Sequence, residues 1–137
     1  MQSLSLKKAQ ENYRKHDVLT ANPLDIVIML YDGIRKNITL ARRAIERKDM
    51  VSAHNKLIKA QDIVNELINC LDLSIPLSED LLRIYDFILH SLGEANLKKD
   101  ASSLGDVLEI TENLRGAWHE LSQSVRDGAL TEPEENA

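Results

Sequence analysis

From Pro23 onward, apolar side chains return at three- and four-residue steps, and the chain reads as a succession of amphipathic helices. In the first, Val27, Leu30, Tyr31, Ile34, Ile38, Ala41 and Ile45 define one buried face. Asn22 supplies a capping side chain, Pro23 suits the first helical position because its missing N–H would have no partner there, and Asp25 complements the positive helix end. This helix should end near Lys48. Asp49 can cap a second one running to about Asp72, in which Met50, Ala53, Leu57, Ala60, Val64, Leu67 and Leu71 form an unbroken heptad series. Leu73-Ser74-Ile75-Pro76-Leu77 breaks the period, and Ser78 with Glu79 and Asp80 restarts it. The third face is Leu81, Tyr85, Ile88, Leu92 and Ala95. Lys98-Lys99 complement that helix's negative end, Asp100 or Ser102 caps a fourth, and Leu104, Val107, Leu108, Thr111, Leu114, Trp118, Leu121 and Val125 form its face.

Helices of roughly 20 to 25 residues are each about 30 to 37 Å long, and connections this short force neighbours to run antiparallel. The pattern predicts an all-α, antiparallel up-down four-helix bundle over residues 23–125. Residues 1–22, with isolated Leu4, Leu6, Tyr13, Val18 and Leu19, read as an N-terminal arm or lid. Residues 126–137, ending in Glu132-Pro133-Glu134-Glu135, read as a disordered acidic C-terminal tail.

At 137 residues the chain suits one domain, and its 43% hydrophobic and 28% charged content is that of an ordinary globular protein. Only 4% of residues are aromatic, so aliphatic side chains must make the core. A net charge of -5 argues against a nucleic-acid partner, because phosphate neutralisation needs a concentrated field of Lys and Arg. No apolar run approaches the ~20 residues that a membrane-spanning helix needs, so membrane insertion is not expected. The lone Cys70 has no disulfide partner within the chain, and no secretory leader pattern opens the sequence. The expected compartment is the cytoplasm.

Nothing in the sequence assembles a catalytic site. The four histidines, His16, His54, His90 and His119, fall in different elements and form no Glu-x-x-His pair of the kind that metal-binding bundles use. His54 or His90 could serve a histidine phosphotransfer bundle, but an isolated helical histidine is usually an ordinary surface residue. Trp118 and Tyr85 read as core residues, and Asp32 and Asp86 as solvent-facing carboxylates. No glycine-rich phosphate loop is present. No cofactor, metal or enzymatic activity is expected.

The informative excess is apolar. In Asp25-Ile26-Val27-Ile28-Met29-Leu30-Tyr31, apolar residues surround the helix for nearly two turns where one stripe would suffice. Ile26, Met29, Gly33 and Leu40 define a second face, and on the second helix Val51, Ile58 and Ile68 sit off the heptad seam beside His54 and Gln61. Bundle helices often bury a wide arc, and the arm could cover the remainder. Equally, such a surface suits an amphipathic helix from another protein, and the two readings are compatible if the arm is a removable cover. Ile26, Met29, Gly33, Val51, Ile58, Gln61 and Ile68 are the candidate groove residues.

Several blocks then fall in a telling order. Tyr13 with Val18-Leu19-Thr20-Ala21-Asn22-Pro23 and Met29-Leu30-Tyr31-Asp32-Gly33 comes first. Ala44-Ile45-Glu46, Lys59-Ala60-Gln61-Asp62-Ile63-Val64-Asn65-Glu66-Leu67 and Leu71-Asp72 follow. Ile84-Tyr85-Asp86-Phe87-Ile88, Glu94-Ala95-Asn96, Lys99-Asp100 and Leu114-Arg115-Gly116-Ala117-Trp118 complete the series. Together, over about residues 10 to 120, they resemble the FliS-type flagellar export chaperones. The resemblance implies a bundle that binds the C-terminal segment of flagellin in the cytoplasm, prevents its premature polymerisation and delivers it to the flagellar type III export machinery without ATP hydrolysis. It further implies an arm that covers part of the groove, with Tyr13 as the latch, and is compatible with a second regulatory protein and with a monomer or weak dimer. The chain departs from the family's pattern at Leu73-Ser74-Ile75-Pro76-Leu77-Ser78, where a Gly-Gly turn is common, and at Gly116, where an acidic residue is common. The competing readings are a histidine phosphotransfer module and a generic helical interaction module.

Overall fold

A computed structural model describes residues 23–128, and within them the chain forms four α-helices and no strand. The helices are α1 (Pro23–Glu46), α2 (Met50–Asn69), α3 (Pro76–Lys98) and α4 (Leu104–Arg126). Each packs on its neighbours in chain order, and α4 returns to α1, so the four close into the expected antiparallel bundle. The expected arm, with Tyr13 and the Asn22 cap, and the tail beyond Gly128 lie outside the described residues.

The core follows the stripes read from the sequence. Tyr31, Ile34, Ile38 and Ala41 of α1 meet Leu57, Ala60 and Val64 of α2, Tyr85, Ile88 and Leu92 of α3, and Leu104 and Val107 of α4. Thr111 is buried among them and returns its hydroxyl to its own helix, donating to the Val107 carbonyl at 2.8 Å. Met50 departs from the heptad reading: at the very start of α2 it is 39% exposed.

The bends differ from expectation in detail. Asp49 caps α2 as predicted, its carboxylate accepting from the Ser52 N–H at 3.1 Å. By contrast α3 begins at Pro76, two residues ahead of Ser78, because proline's fixed φ suits the first helical turn and extended Ile75 can lead into it. For α4 neither Asp100 nor Ser102 is the cap: Ser103 occupies that position without a side-chain bond, while Asp100 accepts from the Ser102 N–H at 2.9 Å and so shapes the preceding turn. The α1–α2 and α3–α4 bends share one device. Lys48 (φ 63°) and Lys99 (φ 51°) adopt the left-handed conformation, and the next N–H, of Asp49 and Asp100, reaches back to Ala44 O at 2.8 Å and Ala95 O at 3.1 Å.

Glycine holds the left-handed conformation without the Cβ clash that burdens lysine. Lys48→Gly should therefore raise the unfolding free energy by about 0.5–1 kcal/mol in urea titration, whereas Arg43→Gly, inside α1, should lower it by about 1 kcal/mol.

Candidate functional site

The helices do not approach one another equally. The α1–α2 seam is the most extensive, α1–α4 and α2–α3 are intermediate, and α3 touches α4 over the least length. The close α1–α2 approach has a local cause: a Cβ placed on Gly33 would lie 3.0 Å from the Ile63 Cδ1, so a side chain there would push α2 away. The fully buried Ala41, Ala44, Ala53 and Ala60 keep the same seam narrow.

Polar pairing ties α4 to the other edge of α1. Arg115 Nε donates to Asp32 at 2.5 Å, Ser122 donates to Asp25 at 2.8 Å, and Arg126 is ion-paired with Asp25. Asp32, read from sequence as merely solvent-facing, is thus an interhelical anchor. Asp86 is exposed as read.

What α3 and α4 lack in direct packing is bridged through the centre. Tyr31 and Tyr85 meet across the bundle with hydroxyl oxygens 2.5 Å apart and ring centroids 6.5 Å apart, and Trp118 Nε1 donates to the Tyr31 oxygen at 3.1 Å. Both tyrosines are almost fully buried. Burial disfavours the phenolate and pushes both hydroxyls above the ordinary tyrosine range; for Tyr85 the negative charge that Tyr31 would carry adds to the effect.

Above this network, at the end of the bundle where α2 leaves and α3 begins, the helices part. An apolar cleft of about 370 Å³ opens between Val27, Leu67, Leu71, Leu81, Tyr85, Trp118 and Leu121, with Ile75 and Leu77 at its lip. Ile75 is 41% and Leu77 58% exposed. The turn into α3 therefore contributes apolar surface to the rim of the cleft. Cys70 also lines it, its thiol pushed above the usual range by burial and by the neighbouring Glu66 carboxylate.

The groove residues named from the sequence are dispersed around the bundle. Ile26 is only 6% exposed, so it is not the open surface that the pattern suggested, and Gly33 is spent on the α1–α2 approach. Met29 lies on the outer side of α1 at 37% exposure. Val51 and Ile58 share a shallow outer depression on α2 with His54, Asn55 and Lys59. Gln61 faces α3, its amide 3.5 Å from the position of a Cβ on Gly93, and Ile68 packs half-buried against the core. Of the seven, only Val51 and Ile58 are brought together on open surface. The α3–α4 cleft was missed because its floor residues fall on the core stripes, and periodicity cannot distinguish a stripe that meets a partner helix from one that meets a gap. The apolar run Ile75-Pro76-Leu77 at the exposed entry to α3 was the available signal.

His54 pairs with the Asn96 side chain, His90 Nε2 lies 3.6 Å from Glu94, and His119 is exposed. No group of His, Cys, Asp and Glu among the described residues is placed to hold a metal ion. None of these helices is long and apolar enough to cross a membrane.

Fold and site together define a four-helix bundle with an open apolar cleft at the weak seam between its third and fourth helices. Comparison with known proteins narrows the class. Residues 6–125 match the family described as "Flagellar protein FliS". The "Flagellar secretion chaperone FliS" of Bacillus subtilis is 37% identical over 123 residues, covering 90% of this chain and 92% of that one. Those of Salmonella typhimurium and Vibrio cholerae are 32% and 30% identical, covering 77% and 74% of this chain and 80% and 76% of theirs. A solved structure described as "Crystal structure of flagellar chaperone from bacteria" superposes with a TM-score of 0.72 over 86% of this chain and 98% of that one, at 18% identity, and so shares its fold. The chain belongs to the FliS family of flagellar secretion chaperones.

The network at the cleft floor gives two measurable consequences. Tyr31→Phe leaves both the Trp118 N–H and the Tyr85 hydroxyl without their partner and should cost about 1–3 kcal/mol in chemical denaturation. Because the folded phenols titrate above their unfolded value near 10, the stability they confer is complete below about pH 10 and is lost as pH rises beyond it. The Tyr31→Phe/Tyr85→Phe double variant should lack that share of the alkaline loss, as followed by unfolding between pH 8 and 12.

Proposed function

We propose that this protein binds the C-terminal segment of flagellin in the cytoplasm, holds it out of premature polymerisation and hands it to the flagellar type III export apparatus. The observation that carries this reading is the apolar cleft at the open end of the α3–α4 seam. A single chain keeps Leu77 and Ile75 substantially exposed beside a cavity lined by Leu81, Trp118 and Leu121, in a place where an amphipathic helix could complete the seam. Belonging to a chaperone family supports a client of that kind.

The physical logic is coupled folding and binding. A segment disordered when free buries its apolar face by forming helix against the cleft, and its own ordering entropy moderates the affinity, so that release at the export gate needs no nucleotide hydrolysis. The outer α2 depression with Val51 and Ile58 offers a second stretch of surface for a segment long enough to wrap the bundle. The arm before Pro23, with Tyr13 as latch, is the proposed competitor for the same surface.

Calorimetric titration with a peptide of the last ~50 residues of the source organism's flagellin tests this. The expected result is saturable 1:1 binding with a large negative heat-capacity change, tightened by deletion of residues 1–16. Leu77→Asp/Leu121→Asp should weaken binding at least tenfold, because carboxylates would have to be desolvated in the seam. Undiminished binding by that variant, with loss in Val51→Asp/Ile58→Asp, would move the main site to α2. No binding by the unaltered protein would overturn the proposal.

A further inference from the structure

Charge along this chain is segregated. Residues 35–48 carry six cationic side chains, Arg35, Lys36, Arg42, Arg43, Arg47 and Lys48, and one carboxylate, Glu46, so this segment is +5 within a chain of -5 and the remainder is -10. The segment is the C-terminal half of α1 and its bend, at the opposite end of that helix from Val27 and the apolar cleft.

Few of these cations are neutralised among the described residues. Arg35 lies 3.4 Å from Asp32, which is held more closely by Arg115, and Arg47 lies 3.7 Å from Asp49. Lys36, Arg42, Arg43 and Lys48 make no ion pair among the described residues. Lys36, Arg43 and Arg47 are spaced by seven and four residues, which places them on one line along the exposed face, over about 16 Å at 1.5 Å per residue. Between them the half-buried Leu40 and Thr39 floor a depression of about 420 Å³ whose far wall carries Glu112 of α4. The C-terminal end of a helix gains up to ~1 kcal/mol from a cation near its last turn, which accounts for Arg43 alone and not for a line starting ten residues from the helix end at Lys36.

We infer that this basic face of α1 is a second docking surface, taking an acidic, amphipathic segment of a partner protein that sets carboxylates against Lys36, Arg43 and Arg47 and an apolar side chain on Leu40. The occupant is a protein segment, because the stripe is one helix face wide and a net charge of -10 over the rest of the chain opposes the extended anionic surface of a membrane or a nucleic acid more than a short segment. Being at the other end of α1 from the cleft, it can be engaged while a client occupies the cleft, so an acidic partner could recognise the loaded chaperone. This inference stands apart from the identity of the client.

The test uses the full chain and a fluorescein-labelled 15-residue probe peptide with Glu at i, i+4, i+7 and i+11 and Leu between them, followed by anisotropy at 50 and 300 mM NaCl. Saturable binding that weakens at least tenfold at the higher salt is expected, and Lys36→Glu/Arg43→Glu should reduce it at least tenfold. Arg83→Glu/Lys98→Glu, which makes the same charge change on α3 and also includes a last-turn cation, should leave it within twofold. Far-ultraviolet circular dichroism and the titration with the flagellin peptide should be unchanged for both variants, separating failure here from failure of the client reading. Equal loss in the two double variants would show attraction without a site and overturn the inference. So would the absence of probe binding at 50 mM NaCl, or tighter association with phosphatidylserine vesicles than with the probe.

Discussion

The fold depends on a contact between two side chains that no sequence-adjacent helices share. Tyr31 on α1 and Tyr85 on α3 sit diagonally across the bundle, where the backbones stay well apart, and their hydroxyls meet at the centre with Trp118 of α4 donating into the pair. Three helices are thereby registered by one buried polar chain. Such a chain is tolerated in a hydrophobic interior only when its members satisfy one another, and any slip of a helix by a turn would separate them. The network therefore specifies alignment more than it adds stability, and it does so at the seam where direct packing is weakest.

That weakness follows from how α1 uses its surface. Gly33 and a series of alanines draw α2 in close, while Asp25 and Asp32 hold α4 by Ser122, Arg126 and Arg115. With both neighbours fastened to α1, α3 is placed by α2 on one side, and little packing remains to close it against α4. The cleft is the geometric remainder of these choices. Its walls are ordinary bundle residues, Leu81 and Leu121 among them, that would face a helix if the seam were shut.

This explains what could be read from the sequence and what could not. Four helices, their order and most of their core positions follow from a period of 3.6, and the Asp49 cap from local hydrogen-bond chemistry, because each depends on residues a few positions apart. The family was legible because its blocks recur in order along the chain. The cleft was not legible, since Trp118 and Tyr85 obey the core pattern whether or not a neighbour covers them. The apolar arc of α1 divides in the same way: flanked by α2 and α4, the helix buries Ile26 and leaves Met29 exposed, and periodicity does not say where the buried arc stops. Asp32 shows the limit from the polar side, because a carboxylate on a helix looks solvent-bound until an arginine 83 residues away arrives beside it.

The distribution of charge extends the argument from packing to encounter. A client segment that enters the cleft by its apolar face meets a surface whose overall charge is negative, and Coulomb attraction adds little to its approach. Affinity there would then come from buried apolar area. The cations instead gather on the distal half of α1, beside the more polar depression that Glu112 of α4 closes on its far side. One helix thus presents two kinds of surface at its two ends, with Val27 in the cleft and Lys36, Arg43 and Arg47 along the other half. On the proposed readings, binding would be governed by desolvation at one end and by salt-sensitive attraction at the other. On the two proposed readings, a client in the cleft leaves the basic face open to a second partner, because the residues that line the two surfaces do not overlap.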